Sequence, residues 1–166
     1  MECLGRFQLG RTGYEAGKPV ANEPILSESE VGQPEPVQVA PATGESGVRV
    51  LLVDDNQASR MMFVRVVEKH WPGFRIVVAA NDTEASTAIK EGGFDWVVVD
   101  IVMPDFDGIE FAGRVIANGT SPERVIIMSA SDYELRRVEG AGLGPVGRCP
   151  KPVRAEKLVP FFGVAG

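Results

Sequence analysis

One histidine, two cysteines and the lack of any long apolar run narrow the chemistry open to this 166-residue chain. His70 has neither a second histidine nor a cysteine at ligand spacing, so a zinc site does not fit. It also falls where a predicted helix runs out, which does not suit a phosphotransfer histidine on an exposed mid-helix position. Cys3 and Cys149 form no metal-binding spacing and read as two reduced thiols. No apolar stretch approaches the roughly 20 residues of a membrane-spanning helix. The start, Met1-Glu2-Cys3-Leu4-Gly5-Arg6-Phe7, lacks the basic head and apolar body of a secretory signal. A cytoplasmic protein with no membrane insertion is the expectation. Basic charge is scarce as well: 17 Lys and Arg against 23 Asp and Glu leave a net charge of −6. That balance argues against a nucleic-acid partner, which requires a basic surface to displace counterions. Only fifteen residues follow Lys151, so no separate DNA-binding module is expected.

What the chain does have is unevenly distributed. Residues 1–46 hold five Pro, six Gly, seven acidic and three basic residues, with no sustained period. They read as a disordered tail or linker, or as a segment that docks on a partner or masks the folded part. Neither Gly10-Arg11-Thr12-Gly13 nor Gly17-Lys18 has the spacing or the preceding strand of a phosphate-binding loop.

From residue 47 a strand–helix alternation begins and runs to residue 166, implying an α/β fold with a mainly parallel sheet covered on both faces. Val48 to Val53 reads as a first strand. A helix follows from about Asn56 to His70, with Met61, Met62, Val64, Val66 and Val67 on its buried side, stopped by Trp71-Pro72-Gly73. Phe74 to Ala80 is a second strand. Asn81-Asp82-Thr83-Glu84 has the pattern of a capping box for a helix ending at Gly92-Gly93. Asp107 or Gly108 opens a third helix, and a fourth spans about Asp132 to Glu139. The glycine-rich run 140–147 leads from helix into strand, the reverse of a dinucleotide fingerprint, and reads as turn chemistry. A short last helix, Arg154 to Val159, is expected to break at Pro160.

Two strands end on acids. Val48 to Val53 runs into Asp54-Asp55, and Val97-Val98-Val99 runs into Asp100, after which Met103-Pro104 and Asp107-Gly108 mark a turn. Open α/β sheets bind ligands at the carboxyl ends of their strands. Three carboxylates at one edge describe a hard-cation site with a carboxylate left to react.

These residues resemble the receiver domain of two-component response regulators, a family with an acidic pair after strand one and a phosphorylated Asp after strand three. A Ser or Thr follows its strand four and a Lys-Pro follows its strand five. Here Asp54-Asp55, Asp100, Ser129 and Lys151-Pro152 fill those places, separated by 45, 29 and 22 residues (100 − 55, 129 − 100 and 151 − 129). The resemblance covers residues 47–166. It implies a flavodoxin-like (βα)5 three-layer sandwich with strand order 2-1-3-4-5, from which the shortened last helix expected at Pro160 departs. It further implies Mg²⁺ held directly by Asp55, Asp100 and the backbone carbonyl of Val102, with Asp54 acting through water. Asp100 would be the phosphoacceptor, assisted by Lys151 and Ser129. The bond into Pro150 or Pro152 could be cis, as the one after this Lys usually is in the family. The implied partners are a sensor histidine kinase or a histidine phosphotransfer protein, and an unknown downstream protein.

The resemblance implies no enzyme beyond self-catalysed phosphoryl transfer and autodephosphorylation. The alternatives are a phosphate sink without an output partner, a receiver-like module that binds without phosphorylation, and a metal-dependent phosphohydrolase of the haloacid type. The hydrolase requires an Asp two residues after its nucleophile, where this chain has Val102. One departure from the family stands out. Three residues before the Lys, where the family carries Tyr or Phe, stands Arg148. A long cation is expensive to bury, so its guanidinium is expected at the surface, paired with an acid of a partner or of this chain. Phe161, Phe162 and Val164 would form an apolar end, packed on the sheet or offered to a partner.

Overall fold

The computed structural model describes residues 47–104 and 106–164; the expectations for residues 1–46, Cys3 among them, lie outside that range. The elements run β1 (Arg49–Val53), α1 (Gln57–His70), β2 (Arg75–Ala79), α2 (Asp82–Glu91), β3 (Trp96–Asp100), α3 (Gly108–Ala117), β4 (Val125–Ser129), α4 (Asp132–Gly140), β5 (Gly147–Pro150) and α5 (Ala155–Phe162). All neighbouring strands are parallel and the order is β2-β1-β3-β4-β5. The three-layer fold implied by the resemblance is therefore the fold observed.

The strand period of two divides the core into two layers. Leu51, Val53, Val97, Val99 and Ile127 meet Ala85 and Ala88 of α2, Phe111 and Val115 of α3, and Leu135 and Val138 of α4. Val50, Leu52, Val98, Ile126 and Met128 face the other way, against Phe63 and Val67 of α1 and Leu158 of α5. Burial on both faces is why β3 and β4 read as unbroken apolar runs. Each large side chain so buried contributes about 1.5–3 kcal/mol.

Three local expectations are corrected. In α1 the buried stripe is Phe63–Val67, with Val64 and Val66 packed beside it, while Met61 and Met62 are 48% and 50% exposed. The sequence Met-Met-Phe-Val is apolar without a gap, so composition does not fix the helix phase; the four-residue step from Phe63 to Val67 does. The Asn81 cap forms, its side chain accepting from Glu84 N at 2.9 Å, but Glu84 reaches back to Ala80 N, at 2.7 Å.

Nor does α5 break at Pro160. Pro160 removes one backbone donor, and a proline inside a helix costs about 3 kcal/mol. Apolar packing on both sides of it offsets that cost. Leu158 is fully buried, and Phe162 meets Trp71, Phe74 and Trp96 edge-on at 5.1–5.5 Å between centroids. Phe161 lies over the β5 backbone so closely that a Cβ at Gly147 would come within 2.6 Å of its ring. The apolar end therefore packs on the sheet, apart from Val164, which is exposed.

Candidate functional site

Register brings the strand ends level. Val53 pairs with Val99, Asp100 with Met128, and Ser129 with Pro150. Asp54, Asp100, Ser129 and Lys151 thus emerge along one edge. Carboxylate oxygens of Asp54, Asp55 and Asp100 lie within 4.8 Å of one another. Lys151 reaches across from the end of β5, its Nζ 2.7 Å from Asp54 Oδ2 and 2.6 Å from Asp100 Oδ2. The Lys151–Pro152 peptide bond is cis, and Lys151 N donates to Ser129 O at 2.8 Å.

The three acids differ in surroundings. Asp54 is 0% exposed and accepts from Asn56 N at 2.9 Å, Ser59 Oγ at 2.6 Å and Lys151. Asp55 is exposed and has no hydrogen-bond partner among the described residues. Asp100 is 7% exposed. Burial pushes its carboxyl above the usual range; the Lys151 ammonium opposes this, the Asp54 charge adds to it, and the Val102 amide, donating to the carboxylate, lowers it slightly. Burial acts to lower the Lys151 pKa, but its bonds to Asp100 and Asp54 outweigh that and raise it, so the ammonium is retained.

The loop after Asp100 is held tightly. Gly108 N donates to Ile101 O at 2.9 Å, and a Cβ at Gly108 would lie 1.9 Å from Asp100 O, so only glycine fits where α3 starts against the strand end. Asp107 caps α3 through Ile109 N at 2.7 Å and pairs with Arg137 of α4 at 2.8 Å. Burial opposes ionisation of Asp107, yet the Arg137 bond and the capping amides hold its carboxyl below the usual range. Beside this loop a groove of 410 Å³ opens between Val102, Met103 and Phe106 on one side and Glu134 and Arg137 of α4 on the other. Val102 is 61% exposed.

Ser129 is buried, and its Oγ accepts from Ser131 N at 3.1 Å. Arg148 is at the surface, as expected, and pairs with Glu139 of α4. His70 packs against Trp71 where α1 ends, away from the acids. Cys149 lies in the α1–α5 layer, and burial raises its thiol to about 11, consistent with an inert sulfhydryl. Sequence reading missed Ser59 and Arg60. Arg60 donates from Nη1 to Asp54 O at 2.6 Å. The available signal was position: both lie one turn into a helix that starts directly after Asp54-Asp55, where side chains point back towards the strand end.

Residues 50–161 match the family described as the response regulator receiver domain. The response regulator MprA of Mycobacterium sp. (strain KMS) is 31% identical over 112 residues, 68% of this chain and 47% of that protein. The transcriptional regulatory protein TrcR of Mycobacterium tuberculosis is 33% identical over 114 residues, 69% of this chain and 43% of that protein. The chain thus spans less than half the length of these two curated relatives. Among solved structures, the Vibrio cholerae chemotaxis protein CheY4 superposes with a TM-score of 0.60 at 25% identity, covering 69% of this chain and 95% of that one. The fold and the acid-lined strand edge define a receiver module. This chain belongs to the response regulator receiver domain family of two-component systems. No helix among the described residues is long and apolar enough to cross a membrane.

Proposed function

We propose that Asp100 is a phosphoacceptor, charged by a histidine kinase or histidine phosphotransfer protein, and that the chain signals by contact with a downstream protein. The observation carrying this reading is Lys151 bridging Asp54 and Asp100 at a strand edge that also presents Asp55. An all-oxygen set of this kind fits Mg²⁺, which favours one or two carboxylates plus a phosphoryl oxygen. Asp55, exposed and with no hydrogen-bond partner among the described residues, suits a direct ligand. Asp100 and the Val102 carbonyl would complete the protein share, and Asp54, with its oxygens already engaged, would act through water. Bound there, Mg²⁺ neutralises charge on the transferring group.

An oxygen of Asp100 attacks phosphorus, the bond from phosphorus to the donor nitrogen or acyl oxygen breaks, and the leaving atom keeps the electron pair. Lys151 offers its ammonium to a phosphoryl oxygen. Ser129, whose Oγ accepts from the Ser131 amide, keeps its hydroxyl proton to donate to another. Hydrolysis by water later releases phosphate and restores the carboxylate. The hydrolase alternative lacks its acid, since residue 102 is an exposed valine. Incubation with Mg²⁺ and acetyl phosphate should add the mass of one phosphoryl group. Asp100→Asn should abolish the addition, and Asp55→Ala should weaken Mg²⁺ binding more than Asp54→Ala. Wild-type labelling of the Asn variant would overturn the assignment.

A further inference from the structure

We infer that Ser59 is a positioning residue that holds the Asp54 carboxylate independently of Lys151, freeing Lys151 to serve the phosphoryl group. The inference rests on the reading of Asp100 as phosphoacceptor. Asp54 is fully buried, and a buried carboxylate must keep its donors. Oδ1 is satisfied by Asn56 N, whereas Oδ2 is shared by Ser59 Oγ at 2.6 Å and Lys151 Nζ at 2.7 Å.

Among the described residues Lys151 is the one donor in the cluster with two carboxylates to serve, since it also bonds Asp100 at 2.6 Å. Once Asp100 carries a phosphoryl group, the ammonium is needed on that group's oxygens. With Lys151 as sole partner, Oδ2 would then be left bare inside the protein. Ser59 prevents this. Its O–H···O⁻ distance falls in the short range of charge-assisted bonds.

Its backbone is fixed by the same turn: Ser59 N donates to the Asn56 side chain at 3.0 Å. Next to it, Arg60 secures the Asp54 carbonyl at 2.6 Å. Asp54 is thus clamped at its carboxylate and its backbone by consecutive residues of α1. Among the described residues no side chain other than Ser59 and Lys151 donates to its carboxylate.

Groups that orient metal-site ligands through hydrogen bonds typically change metal affinity about 10–100-fold when removed. In the full chain, Ser59→Ala should therefore weaken Mg²⁺ binding about 10-fold by titration calorimetry. Phosphorylation by acetyl phosphate should slow even at saturating Mg²⁺, because Lys151 is then retained by Asp54. Ser59→Thr, which restores the hydroxyl, should recover both quantities. If Ser59→Ala does not fold, Ser59→Cys, a weaker donor of similar size, should show the same two losses in smaller measure. A serine with only a structural role would lower the melting temperature of the chelated protein and leave the Mg²⁺ affinity unchanged. That result, or a Thr variant no better than the Ala variant, overturns the inference. Failure of the underlying reading looks different: the wild-type chain itself would then take no phosphoryl group, whatever stands at position 59.

Discussion

Burial of Asp100 sets its reactivity against stability. Its pKa is raised, chiefly by desolvation, so the folded state favours the protonated form. The stabilisation this gives is fully present below the unfolded value of 3.8 and is lost as pH rises through the folded pKa. Above the folded pKa the ionised carboxylate therefore weighs against folding. Asp100→Asn, measured in chelator so that no metal intervenes, should raise the melting temperature by about 2–5 °C at pH 7. The difference should shrink towards zero as the pH approaches 3.8. An equal or larger gain in acid would show that the buried charge is not the cause. Asp54, Asp55, Asp100 and Ser129 were legible as site candidates because each stands at the end of an apolar strand, whereas Lys151, after the mixed strand Gly147–Pro150, was legible only through the Lys-Pro of the resemblance. Ser59 was not, because a helical serine carries no signal until the neighbouring strand end shows what its hydroxyl faces.

Helix α4 is tied on two sides by ion pairs, Arg137 to Asp107 in the loop after β3 and Glu139 to Arg148 on β5. Arg148 occupies the place of an aromatic ring in the family, yet its guanidinium stays outside, where such a pair contributes about 0–1 kcal/mol and is screened by salt. Arg148→Ala should leave labelling by acetyl phosphate at the wild-type rate while α4 amides exchange faster with solvent, a difference that fades at high salt. Loss of labelling would mean that position 148 acts on the chemistry itself. Helix α5 shows where element prediction from sequence stops. A proline in a short helix normally ends it, but Phe161 and Phe162 are anchored by rings from distant segments that no local window contains. The phase of α1 was hidden for a simpler reason, an apolar run with no polar gap to mark its buried face.

At the scale of the whole molecule, five strands, five helices and both apolar layers are built within residues 47–164. Deleting residues 1–46 should accordingly leave the melting temperature and acetyl-phosphate labelling close to those of the full chain. A fall of many degrees would show that this segment contributes to the fold. If labelling by a cognate kinase speeds up without any change in stability, a masking role gains support. Element types were readable from the strand–helix alternation, because two buried layers impose nearly continuous apolar strands. Strand order was not readable from pattern and came from the resemblance; the observed register is what puts Asp54 beside Asp100.

Both tryptophans of the chain sit in one aromatic cluster at the amino end of the sheet. Trp96 opens β3, Trp71 closes α1, and Phe162 touches both. Four residues of strand put Trp96 about 13 Å from Asp100. Intrinsic emission should therefore be blue-shifted in the native protein and almost indifferent to Mg²⁺ or acetyl phosphate, yet shift strongly to the red when α5 detaches or the chain unfolds. A saturable change in emission on Mg²⁺ addition would reveal that the two ends of the sheet communicate. The chain thus carries a built-in optical reporter of its integrity, and occupancy of the acidic edge calls for a probe placed elsewhere, such as the exposed pair Met61 and Met62.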